Sequence, residues 1–215
     1  MIASIAGRIC GLDCGHPVRV AVDGVTASGK TSLARELAAA VAGLGRPVIG
    51  LSMDGFHHPR ARRHQQGRLS AAGYYQDAYD FAAFARWVLV PLGPTGERRY
   101  RTAIIDLATD RRLEEPAVQA PADAVLIVDG SFLQRPELAG HWDLVIFVDT
   151  SLALARARGV RRDAEQLGGR AAAEQLYDLR YHAAGRHYLQ TVRPAERAAI
   201  VLANDDLAAP TLLIR

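Results

Sequence analysis

The stretch Gly24-Val25-Thr26-Ala27-Ser28-Gly29-Lys30-Thr31 holds two glycines, a lysine and a hydroxyl at the spacing G-x-x-x-x-G-K-[ST], the pattern of a loop that wraps phosphate groups. The glycines let the backbone curl until successive N–H groups converge on phosphate oxygens, and a helix starting there adds the partial positive charge of its N-terminus. Lys30 would reach the β- and γ-phosphates, and the Thr31 hydroxyl would ligate Mg²⁺. The expected nucleotide contacts are Gly24, Thr26, Ala27, Ser28, Gly29, Lys30, Thr31 and Ser32. They imply ATP with Mg²⁺, and leave open where the γ-phosphoryl group goes.

Phosphoryl transfer also needs a metal-holding acid and a group to accept the nucleophile's proton. Asp54, in Met53-Asp54-Gly55-Phe56-His57-His58, is the candidate base, although Asp-Gly is also a common turn pair. Asp129 follows Val125-Leu126-Ile127-Val128 in the manner of a Walker B acid and would hold Mg²⁺ with Thr31; a cap role is its alternative. His57 would bind substrate or be a plain loop residue. In Tyr74-Tyr75-Gln76-Asp77-Ala78-Tyr79-Asp80, aromatic faces beside carboxylates suit a sugar with a planar base, Asp77 and Tyr75 being the contacts. The same stretch also reads as a helix start. Arg158, Arg161 and Arg162, followed by Asp163 and Gly168-Gly169, have the makings of a lid hinged at glycine that swings onto the triphosphate. A solvated helix end complementing its dipole is the alternative. Asp149 precedes Thr150-Ser151, a natural N-cap, and reads as structural.

The elements that must position these residues are apolar runs alternating with helical patterns. Val18–Val22, Val48–Ser52, Ala124–Val128, Leu144–Val148 and Ala199–Ala203 read as buried parallel strands, each ending beside one of the polar loops. Helices are expected at Ser32–Gly43, Asp80–Leu89, Leu152–Arg162 and Ala171–Val192. Between Pro91 and Pro121 the periodicity is weak, and a hairpin around Arg99–Leu113 is expected. This is an α/β fold: a mostly parallel five-stranded sheet in a three-layer α/β/α arrangement, with ligands outside the carboxyl ends of its strands.

A chain of 215 residues fits a single domain over 1–215, with an acceptor-binding insertion at about 54–120 and a lid at about 156–172. With 49% hydrophobic and 23% charged residues the composition is that of a globular protein. No run is long and apolar enough for a bilayer, and the N-terminus lacks a leader pattern, so a cytoplasmic enzyme is expected, with no membrane partner. The net charge of +3 is carried by scattered arginine clusters, which suit oxyanion contacts around a cleft; without a nucleic-acid module, no nucleic-acid partner is expected. Cys10 and Cys14, near Asp13 and His16, lack the paired spacing of structural zinc and read as a reduced pair. The expected partners are a nucleotide and a small-molecule acceptor, with room for a homo-oligomer.

On these residues the chain resembles the uridine kinase and phosphoribulokinase-like family of P-loop kinases. The resemblance rests on Asp23–Thr31, Leu51–Phe56, Asp77–Asp80, Val128–Gly130, Phe147–Thr150 and Arg158–Asp163, and spans most of the length from Arg19 onward. It implies a P-loop NTPase fold in which Asp54 activates a ribose 5′-hydroxyl, the acid at Asp77 binds ribose hydroxyls, Arg158 and Arg162 contact ATP phosphates, and Asn204-Asp205 lies close to adenine. It implies ATP-dependent phosphorylation of a nucleoside-like hydroxyl, the uridine or cytidine 5′-hydroxyl first. A pantothenate-like or sugar alcohol comes second, and a nucleotide-hydrolysing switch third. Uridine kinases carry Asp-Ser-Phe-Tyr where this chain has Asp54-Gly55-Phe56-His57, and Asp-His-Pro where it has Tyr74-Tyr75-Gln76.

Overall fold

Val18, Val20 and Val22 face one side of their strand, where they pack with Ile5, Ile9, Leu33, Leu37 and Val41, while Ala21 faces the other, against a cluster that includes Phe84, Phe132 and Tyr188. A strand apolar on both faces must lie inside a sheet covered on both sides. The computed structural model, which describes residues 1–215, has that arrangement. Its main sheet comprises β1 (Val18–Gly24), β2 (Val48–Ser52), β3 (Val125–Gly130), β4 (Leu144–Asp149), β5 (Ile200–Ala203) and β6 (Thr211–Ile214). The strand order is β6-β5-β4-β1-β3-β2. All pairings are parallel except β5 with β6.

The sheet therefore has six strands, where five were expected. The sixth, Thr211-Leu212-Leu213-Ile214, is a short edge strand with exposed residues on it; periodicity cannot distinguish so brief an apolar run from a tail. A buried side chain such as those of β1 contributes about 1.5–3 kcal/mol. Two residues in β1 break the apolar pattern, Asp23 at its end and Arg19 near its start; Arg19 is only 6% exposed and donates from Nε and Nη2 to the two carboxylate oxygens of Asp143 at 3.0 and 2.9 Å. Both cysteines are free. Cys14 and His16 approach Asp143, whose oxygens are already bonded to Arg19.

Helices α1 (Ile2–Cys10) and α2 (Lys30–Gly43) cover one face. The first was not foreseen in the sequence. It buries Ile5, Ala6 and Ile9, one face of two turns. In the segment that follows β2 lies α3 (Ala71–Asp77), capped by Ser70, whose side chain accepts from Gly73 N. The expected helix from Asp80 is Phe81–Phe84 continuing through a π-helical turn at Ala85–Leu89, with Asp80 as its cap, accepting from Ala83 N at 2.9 Å. After β4 comes α4 (Leu152–Asp163). The last helical run, α5, comprises Arg170–Leu176, a π-helical turn at Tyr177–Tyr181, and His182–Val192. The hairpin expected around Arg99–Leu113 is present as Ile105–Asp106 with Arg111–Arg112, nested inside a second ladder of Arg99–Tyr100 with Val118–Gln119. No helix is long and apolar enough to cross a membrane.

Register aligns the strand ends. Ser52 pairs with Asp129, Asp129 with Val22, and Asp23 with Gly130, so the loops after β1, β2 and β3 open side by side.

Candidate active site

The loop after β1 is shaped by close contacts. Gly29 has φ 102°, and a Cβ there would lie 2.6 Å from Asn204 Nδ2; at Gly24 one would lie 2.7 Å from both Ser28 Oγ and the Val148 carbonyl. Thr150 Oγ1 and Asn204 Nδ2 both donate to the Ser28 carbonyl, at 3.0 and 2.8 Å. The ends of β4 and β5 thus hold the turn from which α2 begins.

Lys30 is 8% exposed, and its Nζ donates to the Val25 carbonyl at 2.7 Å. Burial lowers its pKa to about 8, against the opposing pull of Asp23, Asp129 and Asp54. Thr31 Oγ1 donates to Asp129 Oδ2 at 2.6 Å, and burial pushes the Asp129 carboxyl up despite that bond. A hydroxyl and a carboxylate at the loop form an oxygen donor set, which fits Mg²⁺ completed by water and phosphate oxygens. Behind them Asp23 is wholly buried, bonded by Tyr188 Oη, Gln134 Nε2 and the N–H groups of Gly24 and Leu133. Burial raises its pKa, with Tyr188 and Gln134 opposing the rise.

A cavity of ≈ 600 Å³ opens beside the loop, lined by Gly29, Ser32, Arg158, Arg162, Asn204 and others. Five of the expected nucleotide contacts, Gly29, Ser32, Arg158, Arg162 and Asn204, thus share one cavity, while Gly24, Thr26, Ala27, Ser28, Lys30, Thr31 and Asp205 do not line it. Arg158 donates to the carbonyls of Asn204 and Asp205, both at 2.9 Å. Asp205 does more than lie nearby: its Oδ1 accepts from Ser151 N at 2.7 Å and caps α4, where Ser151's own side chain makes no cap bond.

Asp54 sits in the turn after β2, its side chain 67% exposed. It lines a second cavity of ≈ 250 Å³ with Thr26, His57, Tyr74, Tyr79 and Arg162. His57 is buried, bonded through Nδ1 to the Asp54 carbonyl at 3.0 Å, and held neutral at pH 7 because burial lowers its pKa to about 4. Tyr74 Oη bridges Thr26 Oγ1 at 3.2 Å and Tyr79 Oη at 3.3 Å, which connects the phosphate loop to the Asp54 cavity. Arg162 lines both cavities; its Nε donates to Asp163 at 2.6 Å, an acid that also accepts from Tyr177 Oη at 2.6 Å.

Two expected acceptor residues stand apart from this cavity. Asp77 accepts from Gln66 Nε2 at 2.6 Å, and Tyr75 packs against Phe132 and His187 beneath Arg135. Neither lines the space beside Asp54. The tyrosine that does is Tyr74, one helical position away, because the α3 register turns adjacent side chains about 100° apart. Sequence reasoning also missed Tyr181 and Arg180, which line the cavity with Arg63, His64, Leu107 and Asp163 and lie on a segment with no motif.

No protein-family profile matches the chain. It is 25% identical over 180 residues to a uridine kinase of Alkaliphilus metalliredigens, covering 84% of this chain and 79% of that one. A structure from Bacillus stearothermophilus described as a possible uridine kinase superposes with TM-score 0.73 at 24% identity, covering 93% and 96% of the two chains. A Silicibacter sp. TM1040 protein provisionally assigned as a fructose transport system kinase gives TM-score 0.72 at 26% identity, covering 92% and 95%.

Proposed function

We propose that this chain, a member of the uridine kinase-like P-loop kinases, transfers the γ-phosphoryl group of ATP to the hydroxyl of a small-molecule alcohol. The two acceptor classes raised by the resemblance, a nucleoside such as uridine or cytidine and a non-nucleoside alcohol, share one chemistry. The observation that carries the reading is that Arg162 lines both the cavity beside the phosphate loop and the cavity that holds Asp54. Donor and acceptor spaces meet there, as direct transfer between two substrates demands.

In this reading the loop N–H groups and Lys30 bind the β- and γ-phosphates, and the loop contacts from Thr150 and Asn204 keep those donors aimed before the substrate arrives. Thr31 and Asp129 would hold Mg²⁺, which when bound offsets charge on the phosphates. The acceptor oxygen forms a bond to the γ-phosphorus, the bond from that phosphorus to the β–γ bridging oxygen breaks, and ADP leaves. The hydroxyl proton passes to Asp54. With its side chain exposed beside the cavity, Asp54 is free to accept that proton and return it to water. Arg162 sits where charge builds during transfer, and closure of the 156–172 segment would exclude water.

Asp54→Asn tests this. Loss of a general base should lower kcat by about 10²–10⁴-fold, while ATP affinity by titration calorimetry holds within about twofold. A change confined to the acceptor KM would make Asp54 a binding residue instead.

A further inference from the structure

A second space of ≈ 400 Å³ adjoins the Asp54 cavity, the two sharing Arg63, His64, Leu107, Arg180 and Tyr181. Beyond the shared wall the second space is lined by Arg60, Arg68, Leu167 and Leu176, and no carboxylate faces it. Four guanidinium groups therefore surround one end of the cavity system, with Asp54 at the other.

These cations are poorly neutralised by the protein. Arg63 is paired with Asp110 at 2.7 Å, yet its Nε is buried without a hydrogen-bond partner. Arg180 is 4% exposed and has no carboxylate in ion-pair range. Its Nη1 donates to the carbonyls of Arg68 and Ser70, both at 3.2 Å, and its face lies 5.1 Å from the Tyr74 ring centre. Arg60 and Arg68 side chains carry no ion pair, and both residues are exposed at the rim. Burial and then Arg180, Arg63, Arg68 and Arg60 hold the His64 pKa below its ordinary value, as expected where several cations crowd one point. A buried guanidinium beside a cavity without a protein anion is the arrangement that a planar oxyanion matches.

Resting on the kinase reading above, we infer that the acceptor is an anionic alcohol, whose hydroxyl meets Asp54 while its phosphate or carboxylate group lies among Arg63, Arg180, Arg68 and Arg60. Leu107, Leu167 and Leu176 offer contact for its carbon skeleton. The arginines also offset the repulsion between such an acceptor and the triphosphate. Neutral uridine and cytidine would leave the basic end without a counter-ion.

The test is a panel of matched pairs assayed for ester formation with ATP. It sets sugar monophosphates against the parent sugars and hydroxy acids against their amides, with uridine and cytidine as neutral nucleosides. The anionic member of a pair should have a kcat/KM roughly tenfold or more above its neutral partner, the size of one charge-assisted hydrogen bond. Whether phosphate or carboxylate members lead identifies the anion. Arg180→Gln should raise the KM for the anionic acceptor by a similar factor without raising the KM for ATP. Because Arg180 also ties down the 63–70 segment, the double variant R60Q/R68Q, at exposed positions, serves as the second measurement and should shift the same KM. Esters formed on neutral alcohols in preference to anionic ones, or a KM for the anionic acceptor untouched by R60Q/R68Q, would overturn the inference and leave the kinase reading standing. ATP cleaved without an ester on any alcohol would overturn both.

Discussion

Lys30 gives the sharpest pH-dependent prediction. In the free protein its ammonium is buried, and its pKa stands at about 8 rather than 10.5. That difference is worth about 3 kcal/mol between the two protonation states. The unfolded chain keeps the proton up to about 10.5 and the folded chain gives it up near 8, so burial costs stability below pH 8. The cost is relieved as pH rises from about 8 toward 10.5. A triphosphate against Lys30 reverses the situation, since opposite charge favours the ammonium and raises its pKa again. At pH 7 the free protein is already about nine-tenths charged at Lys30, and nucleotide binding takes up about 0.1 proton; at pH 9 it is about nine-tenths neutral, and binding takes up about 0.9. MgATP affinity should therefore weaken about tenfold between pH 7 and pH 9. Titration calorimetry in two buffers of different ionisation enthalpy measures the uptake directly, and Lys30→Met should abolish it. Uptake below about 0.2 proton at pH 9, or equal uptake in Lys30→Met, would refute the placement of Lys30 against phosphate.

Two further expectations concern the frame around the site. A Cβ at Gly159 would lie 2.2 Å from Tyr177 Cζ and Oη, so Gly159→Ala should separate α4 from α5, destabilise by about 1–3 kcal/mol in urea unfolding, and loosen the Asp163–Tyr177 bond that holds the Arg162 partner. Unchanged stability would mean that this packing is not tight. Tyr188→Phe removes one of four donors to buried Asp23 and should cost about 1–3 kcal/mol, lost equally in protein with and without nucleotide. A selective loss of ATP affinity would assign Tyr188 to the binding site.

The phosphate loop was legible because its chemistry is contiguous: eight neighbouring residues carry it, and the strand and helix on either side are set by local pattern. That Asp129 and Asp54 sit at neighbouring strand ends was legible for a related reason, since parallel strands must bring their carboxyl ends to one edge, and the register of Ser52 with Asp129 does so. What escaped depends on contacts between distant segments. Asp23 with Tyr188 and Ser151 with Asp205 are joined only by the folded chain, and no spacing announces them. Tyr74 and Tyr75 differ by a single helical step, and which one meets the cavity is decided by the packing of α3 rather than by composition. Arg180 lies within a π-helical turn, where the extra residue shifts the face that a regular 3.6-residue pattern would assign to it. The arginine clusters were visible as clusters, but that Arg60, Arg63 and Arg68 converge with Arg180 depends on α5 returning across the 63–70 segment.

The central claim is that a phosphoryl group moves between two substrates across Arg162. Its most direct test is to incubate the protein with MgATP and measure ADP, inorganic phosphate and phosphate ester together, with and without acceptor alcohols. The account predicts that ADP release depends on an acceptor and is matched one for one by ester, with inorganic phosphate at background. ADP matched by inorganic phosphate at a rate indifferent to every alcohol would contradict it, and would make the protein a nucleotide hydrolase.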